Sequence, residues 1–453
     1  MLKILKSDIS EDILYNNWIE ESYKVFSKFS DDDFFSNKVQ HLYFYTDINN
    51  DTIKELQKLL MDASKTKLNS SGVYISPKPI CLHLNSPGGH LDATNIFYSL
   101  IQTQRVPLCV IIEKLCASAA SHIALLAPYR VMIDYSQYLI HDSYGLNIGK
   151  LSNSIKNQYS NINTKIYYNK MLKKRTKLTD IEIMEFLERD ILLNADYCLS
   201  KGIIDKILRL PKVNKPEYYS SFTNLQLNLK NFLKKTNLNH IYFSQEIYEN
   251  SPKIINGNDF RGNLQEVTTL YNLSILLDNL FLINKDNVKP IIIHFAPSIY
   301  KYYSNPLELI QLNYRLAMIQ KRVPIIAFIE GDQRFDSLST IMMCPIRIMM
   351  KPCTITSNFA SDMGGSVGGG YKTIDIIDNS LFIYNNVIKF YRAITNIPEE
   401  FYKEIRHRII HLTSKDLIKF DIIHLCLNIT KDNVLSKNII EYLQLNKLTG
   451  IKK

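Results

Sequence analysis

A serine-rich stretch in the first half of the chain has residue types suited to nucleophilic chemistry. Residues 113–128 read EKLCASAASHIALLAP, and Ser118 stands at the head of the helical pattern in this run. A hydroxyl at a helix N-terminus lies where the helix dipole and the free N–H groups favour developing negative charge. The same residues also fit an N-cap serine, or a buried helix packed through alanine and serine. The stretch alone leaves these interpretations open.

A serine nucleophile requires two partners, and residues of both types occur farther along the chain. A base must accept the hydroxyl proton, and a carboxylate must hold an imidazole base in the right tautomer. His141 in LIHDS and Asp190 in LERDILL have these residue types. Taken singly, the histidine also fits a hydrogen-bonded residue after a strand, and the aspartate fits a surface charge at a helix end.

Three other histidines compete for the role of base. His122 lies one helical turn beyond Ser118, and His83 and His90 flank a glycine turn. A base one turn along the same helix would have to reach back towards the helix start, which is an awkward geometry. We therefore assign the role of base to His141.

The glycine turn is a source of backbone donors. The sequence NSPGG at 85–89 directly follows a strand-like run. Pro-Gly-Gly after a strand predicts a tight turn with exposed N–H groups, which are the donors that an oxyanion hole requires. Because many loops contain the same tripeptide, the turn gains meaning only together with the other residues.

An internal repeat groups these candidates into domains. Residues 105–133 align without a gap to residues 322–350, and the residues that recur include Arg105, Val106, Pro107, Glu113, Pro128, Arg130 and Met132. KPICLHLNSP and LNADYCLSKGIIDKIL of the first repeat match KPIIIHFAPS and LTSKDLIKFDIIHLCL of the second. The sequence therefore predicts one duplicated unit whose two copies diverged.

Within each repeat, short apolar runs alternate with helical patterns. This alternation predicts an α/β fold with largely parallel sheets covered on both faces. A chain of 453 residues exceeds the usual size of a single core, so we expect two domains. The predicted division is an N-terminal extension at 1–40, a first domain at 41–209, a linker at 210–236 and a second domain at 237–453.

Charge and cysteine usage limit the function classes. The net charge is +10, but the basic run at 170–177 adjoins an acidic helix pattern and fits a solvated helix face. Nucleic acid is therefore not expected as a partner. The seven cysteines are scattered and fit reduced thiols, and no spacing of histidine and cysteine indicates zinc. We expect no metal and no other cofactor.

The chain lacks the patterns of a secreted or membrane protein. Its first residues carry acidic groups where a signal peptide would need an apolar core. No apolar run reaches the ~18 residues that a membrane-spanning helix needs. We expect no membrane partner and a soluble protein, located in the cytoplasm or else in a reducing organelle or a virion compartment.

Together, the order and spacing of the motifs resemble the proteolytic-subunit family of the Clp protease. Members carry Asn-Ser-Pro-Gly-Gly after a strand, Ala-Ser on a helix, Met-Ile-His, and Arg-Asp before a small-residue helix. The corresponding motifs here are NSPGG at 85–89, CASAAS at 116–121, LIHDS at 139–143 and ERDILLNADYCLSKGIIDKI at 188–207. The serine motif is similar to that of phage-type members. The resemblance spans roughly residues 41–208.

The resemblance implies a role for each candidate residue. Ser118 is the nucleophile, His141 the general base and acid, and Asp190 the orienting carboxylate. The backbone N–H groups of Gly89 and Ala119 form the oxyanion hole. Cys116, Ala120 and KGII at 201–204 depart from the usual family residues, which leaves substrate preference open.

The resemblance also implies a fold, an activity and partners. The fold is ClpP/crotonase-like, built of superhelical βαβ units. The activity is that of a serine endopeptidase similar to the ATP-dependent Clp protease, acting on peptides or unfolded proteins. Family members assemble, so we expect a homo- or hetero-oligomer, with an AAA+ unfoldase as a candidate partner.

The second repeat lacks the candidate residues. The corresponding positions carry Phe335, Asn358 and a residue near Ile409, and PSIY replaces the glycine turn. We therefore expect a catalytically silent second domain. Its glycine-rich run MGGSVGGGYK at 363–372 lacks phosphate-loop spacing and a convincing helix start, so we expect a structural role for it.

Three alternatives remain open. A tandem enzyme of the signal-peptide-peptidase type would pair a serine of one copy with a lysine of the other, whereas all three candidates here lie in the first copy. A crotonase-type acyl-CoA enzyme shares the general fold but needs no triad. A non-catalytic scaffold or adaptor in a larger protease or viral assembly would use the fold alone, because a fold does not imply a function.

Overall fold

The computed structural model describes a defined set of segments, namely residues 8–68, 70–141, 166–210, 239–243, 253–256, 270–283, 291–295, 309–323, 325–329, 331–351, 353–356, 370–405 and 410–428. The chain divides into two compact units. The first contains residues 1–209, 252–260 and 366–382, and the second contains residues 210–251, 261–365 and 383–453. The predicted linker, apart from Leu210, lies outside the described segments. The first unit thus includes two segments from beyond that linker.

An eight-stranded sheet forms the centre of the first unit. Its strands are β1 (Gln40–Tyr45), β4 (Ile80–Ser86), β5 (Leu108–Ala117), β6 (Tyr129–Ile133), β7 (Gln137–Ile140), β8 (Ile191–Leu193), β9 (Lys206–Leu208) and β11 (Lys253–Asn256). The main order is β11-β1-β4-β5-β6-β9, and all neighbours from β1 to β9 are parallel. This order confirms the largely parallel sheet that the apolar runs predict.

Two further features complete the strands of the first unit. β11 pairs antiparallel with β1 and forms one edge of the sheet. A separate short hairpin joins β2 (Lys67–Leu68) to β3 (Tyr74–Ile75), and the residues of both strands are exposed. In contrast, every residue of β4 is buried, as expected for a central parallel strand with both faces covered.

Seven α-helices are described in the part of the first unit that precedes residue 210. They are α1 (Asp8–Phe26), α2 (Asn50–Ala63), α3 (Leu91–Thr103), α4 (Ala119–Leu126), α5 (166–175), α6 (Asp180–Glu188) and α7 (Ala195–Ser200). Side-chain caps start several of them, because the first N–H groups of a helix have no partner within it. Asn49 accepts from two N–H groups of α2, and Thr179 and Asn194 cap α6 and α7 in the same way.

The predicted N-terminal extension packs into the first unit. Trp18 of α1 is buried, and its indole N–H donates to the Val106 carbonyl at 2.7 Å. A short 3-10 helix, Asp31–Phe35, buries Phe34 and Phe35. These aromatic side chains add to the core of the unit, so the residues before β1 contribute to its stability.

A chain of buried polar side chains crosses the sheet of the first unit. His41 Nδ1 lies 2.9 Å from His83 Nε2, and His83 Nδ1 lies 2.6 Å from Glu113 Oε1. The Tyr45 hydroxyl donates to the other oxygen of Glu113. Because a charge buried without a partner is costly, these groups are stable inside the sheet only as a connected set.

The second unit contains a five-stranded parallel sheet. Its order is β10 (Asn239–Phe243), β12 (Ile291–Phe295), β13 (Ile325–Ile329), β15 (Ile346–Lys351) and β18 (Leu425–Asn428). A separate three-stranded sheet is formed by β14 (Gln333–Arg334), β16 (Ile355–Thr356) and β17 (His411–Leu412). Isoleucine-rich strands buried throughout again fit a parallel sheet.

The remaining helices follow in chain order. They are α8 (Leu270–Leu277), which continues as a π-helical turn at Asp278–Ile283, α9 (Ile310–Ile319), α10 (Phe335–Met342), α11 (Gly370–Ile394), α12 (Glu399–Ile405) and α13 (Ser414–Lys419). Residues 370–382 of α11 are grouped with the first unit.

The sequence expectation for the glycine-rich run is wrong in one respect. Residues 363–369 lie outside the described segments, but helix α11 begins at Gly370, within the run. Glycine lowers helix propensity locally, whereas the apolar spacing of TIDIIDNSLFIYNNVIKF after it extends over many residues. The longer pattern determines the structure here.

Two expectations about chemical environment concern the whole chain. The seven cysteines are free thiols, and six of them are buried, in agreement with the scattered spacing. Among the described residues, no helix combines the length and the apolar character that a membrane-spanning segment needs.

Candidate active site

Two parallel strands bring Ser118 and His141 to the same edge of the sheet. The end of β5 pairs with β7, and Ala117 lies opposite Leu139. The Ser118 N–H donates to the Leu139 carbonyl at 3.1 Å. Because Ser118 directly follows β5 and His141 directly follows β7, both residues lie at the carboxyl ends of neighbouring strands. Ligand sites of open parallel sheets lie at these ends.

An antiparallel strand adds the carboxylate. β8 pairs with β7 so that Ile191 lies opposite Ile140, and the next pair along this register is Asp190 and His141. Asp190 Oδ1 lies 2.9 Å from His141 Nδ1. A carboxylate at this nitrogen favours the tautomer with the proton on Nδ1, in which the lone pair is on Nε2. A general base acts through that lone pair.

Ser118 has a strained backbone conformation. Its φ is 55° and its ψ is −126°, a combination that residues other than glycine rarely adopt and that costs on the order of 1–3 kcal/mol. Ser118 occupies the N-cap position of α4, yet its side chain forms no capping hydrogen bond. Helix capping therefore does not explain why a serine occupies this position. The strained turn places the Ser118 hydroxyl at the N-terminus of α4.

The glycine turn packs directly against Ser118. Gly88 has a φ of +99°, and a Cβ at this position would lie 2.6 Å from Ser118 Cβ and 2.9 Å from Ala119 N. Gly89 has a φ of +145°, and a Cβ there would lie 2.1 Å from the Ile48 carbonyl oxygen. No side chain fits at these distances. The close approach of the turn to the serine therefore requires glycine at both positions.

The two proposed oxyanion donors belong to backbone elements that meet at Ser118. The Ile48 N–H donates to the Gly88 carbonyl, and the His90 N–H donates to the Ile48 carbonyl, both at 2.7 Å. In a parallel bridge of this kind, the N–H of the residue between them, Gly89, is directed away from the bridging strand. Ala119 is the first residue of α4, so its N–H has no acceptor within the helix.

Buried hydroxyl groups form hydrogen bonds with the backbone of the turn at Ser118. The Ser121 hydroxyl donates to the Ser118 carbonyl at 2.6 Å and lies 2.6 Å from the Tyr168 hydroxyl. The Tyr138 hydroxyl donates to the Ser121 carbonyl at 2.9 Å. Burial raises the pKa of Tyr168 well above its usual value, so the phenol remains a neutral hydrogen-bonding group. These contacts fix the first turn of α4 behind Ser118.

The rival histidines have other surroundings. His122 is buried and stacks on the Tyr168 ring with 3.5 Å between ring centroids. Burial and, to a smaller extent, electrostatic repulsion between the two rings of His122 and His141 lower the pKa of His122 to about 3, so the His122 ring is neutral at ordinary pH. His83 belongs to the buried chain with Glu113, and His90 is the exposed N-cap residue of α3. Among the described histidines, His141 is the one joined to Asp190.

Sequence reasoning missed Ser121 and Tyr168. Ser121 was visible only as the second serine of CASAAS, and Tyr168 carried no motif signal. In the second unit, Phe335 begins helix α10. Asn358, Ile409 and the segment at 297–300 lie outside the described residues.

Residues 40–210 match the family model described as Clp protease. This chain is similar to the ATP-dependent Clp protease proteolytic subunit 2 of Treponema denticola, with 28% identity over 158 residues, which are 34% of this chain and 78% of that protein. It is 26% identical over 174 residues to the proteolytic subunit 2 of Prochlorococcus marinus, covering 37% of this chain and 87% of that protein. The solved structure of ClpP1 from Listeria monocytogenes is 23% identical, covers 38% of this chain and 92% of its own, and has a TM-score of 0.31.

Proposed function

We propose that this chain is a serine endopeptidase of the Clp type whose triad is Ser118, His141 and Asp190. All three residues lie within residues 40–210, which match the Clp protease family model. The family match supports a Clp-type peptidase, and the proposal adds the residues. The observation that carries the proposal is the 2.9 Å contact between His141 and Asp190 at the sheet edge where the strained Ser118 also lies.

The chemistry begins with attack by the Ser118 hydroxyl oxygen on a peptide carbonyl. His141 accepts the hydroxyl proton on Nε2 as the new C–O bond forms, and Asp190 stabilises the imidazolium through Nδ1. His141 then donates the same proton to the amine that leaves when the C–N bond breaks. Water hydrolyses the resulting acyl-enzyme by the same steps, which restores the serine.

The carbonyl oxygen becomes negatively charged in the tetrahedral intermediate. The N–H groups of Gly89 and Ala119 are the proposed donors to this oxygen. Each preorganised donor of this type contributes roughly 3 kcal/mol of transition-state stabilisation. The helix dipole of α4 adds to this stabilisation because its positive end lies at Ser118.

The proposal assigns no catalysis to the second unit. Its support is the residue types at the positions corresponding to the triad, none of which is a serine, histidine or aspartate. The proposed substrate is a peptide or an unfolded protein. An oligomer with an AAA+ unfoldase as a partner rests on the family resemblance alone. The cytoplasm is the proposed location. Light scattering that gives a stable monomer would contradict the oligomer.

The test is intact-mass measurement after treatment with a fluorophosphonate. We expect one adduct per native chain and none on Ser118→Ala. Ser99→Ala is a matched control, because Ser99 is an exposed serine on α3 and its loss should leave the adduct unchanged. No adduct on a folded, assembled native chain would overturn the triad and favour the scaffold alternative.

A further inference from the structure

A side-chain amide from the second half of the sequence contacts the backbone around Asp190. Asn379 lies on α11 in the segment 366–382 of the first unit. Its Oδ1 accepts from the Leu192 N–H at 2.9 Å, and its Nδ2 donates to the Asp190 carbonyl. The backbone on both sides of Ile191, from the proposed catalytic aspartate into β8, is thus held by one asparagine.

Asp378, which precedes Asn379, and Arg189, which precedes Asp190, form a second contact between α11 and the backbone around Asp190. Asp378 Oδ2 lies 2.9 Å from Arg189 Nη2, and both side chains are partly exposed. An ion pair in this setting contributes ~0–1 kcal/mol and orders the approach of the helix. The Asn379 amide is the more specific contact because it pairs a donor and an acceptor at once.

The geometry of β8 explains why such a contact matters. β8 has three residues, and among the described strands it pairs with β7. A strand edge presents a carbonyl and an N–H two residues apart, and a neighbouring strand normally satisfies both. The Asn379 amide occupies the place of a peptide group from such a strand. It thereby fixes the segment whose first residue, Asp190, orients His141.

We propose that Asn379 is a positioning residue for the Asp190 carboxylate, which makes activity of the first unit dependent on helix α11. This inference rests on the proposed function. Loss of the amide would free the Asp190 backbone to shift, and a misplacement of about 1 Å in a catalytic constellation can cost up to 10²-fold in rate. Substrate binding would not change, because Asn379 acts through Asp190.

The experiment compares Asn379→Ala with Asn385→Ala in the full chain. Asn385 is an exposed asparagine on the same helix and serves as the matched control. We expect kcat for a fluorogenic peptide to fall about 10-fold in Asn379→Ala with KM unchanged, and no change in Asn385→Ala. Asn379→Asp is nearly isosteric and keeps the acceptor for the Leu192 N–H, but it replaces the donor to the Asp190 carbonyl by a charged acceptor oxygen; it should show at least the same fall if the alanine variant folds poorly.

A double-mutant cycle separates positioning from general destabilisation. On an Asp190→Ala background, Asn379→Ala should have no further effect on kcat, because its role runs through Asp190. A full 10-fold fall on that background would overturn the inference, and so would unchanged kcat in both Asn379 variants of an active enzyme. A native chain whose Ser118 never reacts with a fluorophosphonate would instead overturn the proposed function.

Discussion

The two units build the same three-stranded layer around different residues. In the first unit, the end of β5 pairs parallel with β7, and β7 pairs antiparallel with β8. In the second unit, β14 pairs parallel with β16, and β16 pairs antiparallel with β17. At the 217-residue offset, the pair of Ala117 and Leu139 corresponds to the pair of Arg334 and Thr356. This shared register supports the proposed duplication.

The units differ where the helix begins. In the first unit, Ser118 stands before α4 with a φ of 55°. In the second, Arg334 is the N-cap residue with an extended φ of −96°, and Phe335, at the position of Ser118, is already helical. The strained residue has become an ordinary first helical residue. Strain at this turn therefore occurs where the proposed nucleophile stands and is not required by the fold.

A buried arginine, in contrast to Ser118, occurs at the corresponding position of both units, but its hydrogen-bond partners differ between them. Arg130 forms an ion pair with Asp205, with Nε 3.1 Å from Oδ2. Arg347, at the corresponding position, donates to the carbonyls of Ile422 and Asp421 at 2.8 Å each. Burial lowers the pKa of Arg347 to about 10, whereas Asp205 outweighs burial and raises the pKa of Arg130. A structural role thus tolerates a change of partner.

The largest effect should follow from removing the feature that only the first unit has. Asp190→Asn should lower kcat by about 10⁴-fold, because an amide no longer favours the Nδ1–H tautomer of His141. Steady-state hydrolysis of a fluorogenic peptide measures this. Asp51→Asn, at an exposed aspartate of α2, is the control and should retain full activity. A fall of less than 10-fold in Asp190→Asn would remove Asp190 from the triad.

Among the described residues, each unit has one contact between a carboxylate and a basic side chain in which both side chains are fully buried, and removing the carboxylate should destabilise both units. Glu113 pairs with His83, and Asp278 pairs with Arg315, with all four side chains at 0% exposure. Glu113→Ala and Asp278→Ala should each lower the free energy of unfolding by about 3–5 kcal/mol, because each leaves a buried polar partner unsatisfied. Urea denaturation followed by circular dichroism measures the loss. A loss below about 1 kcal/mol in either variant would show that the pair there is dispensable.

A further difference between the units concerns the pH dependence of stability, because His122 of the first unit titrates and the corresponding residue of the second unit does not. His122 has a pKa of about 3 when folded and 6.5 as the ordinary value, so the unfolded chain binds its proton first as the pH falls. Between pH 6.5 and pH 3 this histidine should therefore cost about 1.4 kcal/mol of stability per pH unit. The corresponding residue of the second unit is Ser339, which does not titrate in this range.

His122→Phe tests this effect and keeps a ring against Tyr168. Lowering the pH from 6.5 to 5 should reduce the free energy of unfolding of both proteins. The loss should be about 2 kcal/mol smaller in His122→Phe than in the native chain. Ser339→Ala should leave the pH dependence unchanged. Equal pH dependence in the native chain and His122→Phe would show that His122 is not held neutral by burial.

The sequence predicted the first unit well because its signals are local. Strand β4, helix α3 and the turn at 85–89 each follow from a short run of residues, and parallel pairing then brings the strand ends to one edge. The placement of Ser118 and His141 follows from the same rule. They were identified as candidates from the order and spacing of several motifs together with the family resemblance, and their catalytic roles stay a prediction.

The contacts that sequence reasoning missed depend on long-range packing. Asn379 reaches Asp190 across 189 positions of the chain, and no motif marks an asparagine that pairs with a strand edge. Tyr168 contacts Ser121 from a helix whose pattern indicates only burial. The 252–260 and 366–382 segments of the first unit could not be assigned for the same reason, since a division by repeats assumes that each unit is contiguous.

The smallest expected effect isolates the strain at Ser118 itself. Ser118→Gly and Ser118→Ala both remove the proposed nucleophile, but only glycine relieves a φ of 55°. Glycine at position 118 should relieve about 1–3 kcal/mol of backbone strain. Its greater freedom in the unfolded chain should cost about 0.5–1 kcal/mol. We therefore expect Ser118→Gly to be about 1 kcal/mol more stable than Ser118→Ala. Thermal unfolding of the two variants measures the difference. Asp421→Gly, at a φ of 58° in the second unit, is the control that should gain stability at a position with no proposed catalytic role. Equal stability of the glycine and alanine variants at Ser118 would mean that the serine is not strained, and the contrast between the two helix starts would then have no energetic basis.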